Sequence, residues 1–146
     1  MKKYDFNLET VLSIRTNIEK EWEAKLGKAN GDCQVIINRI NTIKDELNNS
    51  RKSILDISQI EIKSIYEQRL NYQIKQEKEA LKRKEEIRDS IKKVYLEKSI
   101  DRKVIEKLKE KSLKRYHKSV IKEENLFIDE INNASKIREI MLGGAV

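Results

Sequence analysis

From Leu8 to Ile57 a ladder of positions runs at alternating steps of four and three: 8, 12, 15, 19, 22, 26, 29, 33, 36, 40, 43, 47, 50, 54 and 57. Twelve of the fifteen are apolar: Leu8, Leu12, Trp22, Leu26, Ala29, Cys33, Ile36, Ile40, Ile43, Leu47, Ile54 and Ile57. Only Arg15, Glu19 and Ser50 interrupt them. A mean period of 3.5 draws a narrow stripe along one side of a helix. That stripe suits pairing with another helix, where a wider one would suit burial in a globule.

The punctuation of the pattern predicts two helices. Asn7 is a suitable N-cap for the first, with Phe6 and Val11 at staple positions. Ser58-Gln59-Ile60-Glu61 reads as a capping box with an Ile57–Ile62 staple, so the chain turns just before it, at about 56–58. No strong stop follows until Gly143-Gly144. The expected architecture is all-α: an elongated antiparallel two-helix coiled coil over residues 1–146. Helix 1 covers about 8–55, and the longer helix 2 about 59–141. At 1.5 Å per residue these span about 70 Å and about 125 Å. Gly27, Asn30 and Gly31 offer a competing turn, but the stripe passes them without a phase slip, which favours one helix with a local bend at most.

An antiparallel turn at Ser58 sets residue i opposite about 115 − i, so helix 1 runs out of partner near Leu108. Beyond it Leu113, Val120, Phe127, Ile131, Ala134 and Met141 recur at heptad-like steps, with His117, Glu124 and Arg138 between them. A stripe lacking an internal partner implies an external one. Lys75 to Glu86 contains only Ala80 and Leu81 as apolar residues. Weak packing is expected there, helped by Lys75–Glu79, Glu79–Arg83 and Lys82–Glu86 pairs.

Composition sharpens this picture. Charged residues make up 39% of the chain, aromatics 5%, and proline is absent, which removes the strongest helix breaker and leaves little material for a compact core. No apolar run is long enough to span a membrane, and the first residues do not read as a signal peptide, so a cytoplasmic location is expected. The single Cys33 lies on the stripe and reads as a small core residue.

The net charge of +7 is concentrated. Between Arg102 and Lys122 lie nine basic residues against Glu106 and Glu110, which equals the excess of the whole chain. Lys107, Lys111, Lys114 and Lys118 share one side of the helix. The sign then reverses at Glu123, Glu124, Asp129 and Glu130. Such a reversal suggests a docking surface for protein more than a polyanion binder, and only Tyr116 is available nearby for stacking on bases. A basic nucleic-acid-binding helix is the least favoured reading. There is no phosphate-binding glycine loop, no Cys and His at metal spacing, and no candidate triad, so no enzyme, cofactor, metal or small-molecule substrate is expected.

Three segments resemble the FliJ family, the coiled-coil component of the flagellar type III export apparatus. These are Phe6-x-Leu8-x-x-x-Leu12-x-x-Arg15-x-x-x-Glu19, then Tyr66-x-x-x-Leu70-x-x-x-Ile74, and finally Ile105 and Leu108 followed by Glu110-Lys111, Tyr116, Glu123-Glu124 and Ile128-Asp129-Glu130. The resemblance implies a central stalk whose paired termini enter the hexameric export ATPase. Its hairpin end would reach the export gate protein in the membrane, with escorted chaperones as further partners. Peripheral association with the inner membrane follows from the same resemblance, and a monomer is expected in isolation. The implied ATPase contacts are Phe6, Leu8, Leu12, Arg15, Tyr116, Glu123, Glu124, Phe127, Asp129, Glu130 and Ile131. The implied gate contacts are Arg39, Ile43, Glu46 and Ser50 on helix 1, with Tyr66, Leu70, Gln73 and Glu77 on helix 2. A generic coiled-coil scaffold or tether is the alternative.

Overall fold

The computed structural model describes residues 2–53 and 56–144. Two helices account for nearly all of them: α1 (Glu9–Lys52) and the longer α2 (Ile57–Gly143), which pack against each other. The stripe position Ile54, and the expected end of helix 1 at residue 55, lie outside the described residues.

The stripe read along the first helix is the packed face of α1. Ala29, Cys33, Ile36, Ile40 and Leu47 are buried, and Leu12, Trp22, Leu26 and Ile43 are half-buried at the positions between and before them. Even the three polar interruptions, Arg15, Glu19 and Ser50, are partly covered, whereas Leu8 is exposed. The glycines do not break the helix. Gly27 and Gly31 are both exposed and α1 runs through them, because their faces point away from the stripe and nothing there demands a bend.

Three of the four helix ends depart from the expected ones by two or three residues, while α1 starts at Glu9, one residue from the expected Leu8. α1 stops at Lys52, where Ser53 donates its hydroxyl (2.8 Å) and its N–H (3.3 Å) to the Ser50 carbonyl and takes up an acceptor that a further turn would have used. Lys63 donates to the Ser53 carbonyl at 3.0 Å from the facing helix. α2 begins at Ile57, ahead of the expected Gln59, so that Ile57 and Ser58 belong to the helix and not to the turn. Asp56 stands at the cap position, its carbonyl accepting the Gln59 N–H at 2.9 Å, and Asp is as good an N-cap as Ser. The expected Ile57–Ile62 staple is not buried, since both residues are exposed. At the other end the Gly144 N–H bonds the Ile140 carbonyl at 3.0 Å, and the helix closes at the glycine pair as read.

Packing divides into two units. The first, Arg15–Ile100, contains the main core: Ile36, Ile40 and Leu47 of α1 against Leu70 and Ile74 of α2, with Ile43, Ala80 and Leu81 at its edge. The Ser50 hydroxyl meets the Glu67 carboxylate at 3.3 Å, which sets residue i opposite about 117 − i, two positions beyond the expected register. Packing thins between Lys75 and Glu86, as expected, with only Ala80, Leu81, Glu77 and Glu85 partly covered. The three ion pairs expected there do not form among the described residues. An exposed pair at this spacing is worth only about 0.3–0.5 kcal/mol, too little to hold two long side chains in one geometry.

The second unit joins the N-terminal residues through Ile14 to those from Asp101 onward. The overhang expected from Leu108 starts later. Ahead of α1 the chain runs on without helix along α2, and the Tyr116 hydroxyl donates to the Lys2 carbonyl at 2.9 Å. Val120 is partly covered, and from Ile121 through Gly144 every described residue of α2 is exposed.

Candidate partner-docking surfaces

In the N- and C-terminal unit, α2 receives the N-terminal segment on a stripe made of Arg102, Ile105, Lys109, Ser112, Tyr116 and Val120, which are the partly or fully covered residues there. The Tyr4 and Tyr116 rings lie 5.3 Å apart and tilted, and the Tyr4 hydroxyl reaches the Lys109 carbonyl at 3.4 Å. Lys109 also holds Glu9 at 2.8 Å. A shallow groove of about 450 Å³ is lined by Lys2, Tyr116, Ser119, Val120 and Glu123. Sequence reasoning missed this strap, because Lys2 and Tyr4 precede the periodic stripe. Its one available signal was a tyrosine two residues ahead of Phe6.

The residues implied as ATPase contacts separate into two environments. Phe6, Leu12 and Tyr116 are half-buried against the opposite element, and Leu8 is at the surface. Arg15 belongs to the other unit and is partly covered. Glu123, Glu124, Asp129 and Glu130 are exposed, as are Phe127 (64%) and Ile131 (49%). Leu126, Ile128, Ile137, Ile140, Met141 and Leu142 join them, so the last turns of α2 present large apolar side chains to solvent on several sides. Soluble surfaces rarely display so many without a use for them.

In the Arg15–Ile100 unit, four of the eight implied gate contacts come together. Arg39 and Ile43 of α1 and Gln73 and Glu77 of α2 line one groove of about 690 Å³, together with Val35 and Thr42. Glu46 and Tyr66 are exposed nearby in sequence but do not line it. Ser50 is turned to the seam by its bond to Glu67, and Leu70, at 3% exposure, is a core residue. A partner can therefore reach Leu70 only through the packing it supports.

Among the described residues no three His, Cys, Asp or Glu side chains are grouped to hold a metal, and no helix is long and apolar enough to cross a membrane. Cys33 is buried at 3% exposure on the α1 seam.

The fold is that of an all-α protein of two packed helices, with grooves beside the seam and exposed apolar side chains along the end of the longer helix. The model of the flagellar FliJ protein family matches residues 4–139, and the chain belongs to that family. No match is found among curated proteins or among solved structures. Membership makes it a component of flagellar protein export.

Proposed function

We propose that the protein is the central stalk of the flagellar export apparatus, binding the hexameric export ATPase and coupling it to the membrane export gate. The observation that carries this reading is the exposed apolar end of α2. Its side chains from Ile121 to Leu142 have no covering element among the described residues, and the N-terminal strap stops at Val120. A helix end of this kind, next to the acidic residues Glu123, Glu124, Asp129 and Glu130, supplies a surface that a ring of subunits can enclose. Binding the assembled ring better than its free subunits would favour assembly by mass action. The Arg39–Glu77 groove is the proposed gate contact, which would bring the protein to the inner membrane as a peripheral component. Export chaperones are further partners under the same reading.

Replacing Phe127 and Ile131 together by Asp tests the ATPase contact. Helicity by circular dichroism should stay nearly unchanged, because neither side chain is packed, while affinity for the purified ATPase should fall at least about tenfold, or about 1.4 kcal/mol. Undiminished binding, or no binding by the unaltered protein, would overturn the stalk assignment.

A further inference from the structure

The basic residues between Arg102 and Lys122 do not form one cloud. Two of them are engaged on the covered side: Arg102 pairs with Glu106 at 2.6 Å, and Lys109 pairs with Glu9 at 2.8 Å. The other seven are exposed, with Arg115 beside the ridge that the six lysines form. Lys103, Lys107, Lys111, Lys114, Lys118 and Lys122 follow one another at steps of four and three, and all six are exposed. At 3.6 residues per turn they lie within an arc of about 100° on the side opposite Ile105, Lys109 and Tyr116, along about 28 Å of helix. None of the six makes a hydrogen bond or ion pair among the described residues. Val104 lies at the edge of the arc and Leu108 about 40° beyond it, and both are close to half exposed (49% and 44%). Glu110 borders the ridge and is exposed, while Glu106 is held by Arg102.

We propose that this lysine ridge of α2, with Val104 and Leu108 at its N-terminal end, is the docking surface for an acidic helix of a protein partner. Four physical arguments select that occupant. Like charges at i,i+4 repel and destabilise the helix that carries them, so the ridge is locally unfavourable until opposite charge is laid along it. Its charges run along one side of the helix at helical spacing. A second helix lying alongside, with carboxylates at steps of three and four and one or two apolar residues among them, meets both the lysines and the Val104–Leu108 step. Nucleic acid fits less well, because the ridge offers no aromatic side chain for stacking and its apolar step has no counterpart on a phosphate backbone. A lipid surface fits less well too, since an interfacial helix needs a broad apolar face beneath its basic flanks. The proposal does not depend on the stalk reading, whose uncovered surface begins beyond Val120.

The test uses the full-length protein and a lactam-stapled helical peptide with glutamates at alternating steps of three and four and leucines beside them. Three comparison probes accompany it: a stapled isomer of identical composition with the glutamates dispersed around the helix, duplex DNA, and vesicles of phosphatidylglycerol with phosphatidylethanolamine. Fluorescence anisotropy for the first three, and co-flotation for the vesicles, are read at physiological salt. The aligned peptide should bind at least about tenfold more tightly than its isomer. Replacing Lys107, Lys111, Lys114 and Lys118 by Glu should abolish that binding with circular dichroism unchanged. Equal affinity for both peptides would reduce the ridge to undirected charge and overturn the proposal. Tighter binding of DNA or vesicles than of the aligned peptide would overturn it as well, by assigning the ridge to that class of partner.

Discussion

Gly27 and Gly31 stand in the interior of α1 with no atom within 4 Å of where a Cβ would lie. Each therefore contributes backbone freedom to the unfolded chain without providing room for a neighbour. Glycine in a helix interior is about 1 kcal/mol less favourable than alanine, and no steric penalty offsets the change at either site. Gly27→Ala and Gly31→Ala should each raise the stability of the protein by up to about 1 kcal/mol, seen as a higher urea midpoint by circular dichroism at unchanged slope. A lowered midpoint would show that a bend at these glycines is needed. At this scale the stripe of α1 was readable residue by residue, down to Cys33 as a core residue. The polar seam of α2 was not: Glu67, Glu77, Arg88 and Lys98 are partly covered while Ile87, Leu96 and Ile100 are exposed. A helix with apolar residues on several sides does not announce which side is packed.

Between the two helices, the register near the Ser50–Glu67 contact places Leu26 opposite Ile91, and both are half-buried. Cysteines introduced at these two positions, in a Cys33→Ser background, should form a disulfide within one chain under mild oxidation. Such a bond requires Cα atoms within about 7 Å. Non-reducing electrophoresis and mass spectrometry distinguish it from a link between chains, which would instead show parallel pairing of two molecules. The same scale explains the displaced helix start. Asp56 and Ser58 are comparable caps two residues apart, and local sequence does not choose between them. The choice falls to the termination of α1 at Lys52 and to the Lys63 bond that reaches back to Ser53 just beyond it.

For the whole molecule, the α1 stripe is occupied by α2 and by nothing else among the described residues. A chain that satisfies its own heptad stripe has no need of a second copy to do so. We therefore propose a monomer in isolation, and sedimentation equilibrium should return about 17.3 kDa over a wide concentration range. A concentration-dependent dimer would locate a self-association surface, with the exposed end of α2 as the first region to mutate.

The amino-acid sequence by itself determined that this protein is helical, that two helices pair, and which face of the first one does so. A 3.5-residue period of apolar side chains has one way to be buried, and the three polar residues within it, Arg15, Glu19 and Ser50, do not shift its phase. Family membership was also legible, because the motifs that carry it lie on that same frame. Only the tertiary structure decided how far the pairing extends. The strap from Lys2 to Asn7 has no helical period to reveal it, and its position depends on Tyr4 meeting Tyr116, a contact between residues 112 positions apart. The structure likewise decided which lysines are free, since Lys109 is distinguished from its neighbours by Glu9 arriving from the other helix. Composition and spacing constrain what lies along one helix. What lies across from it is set by long-range packing.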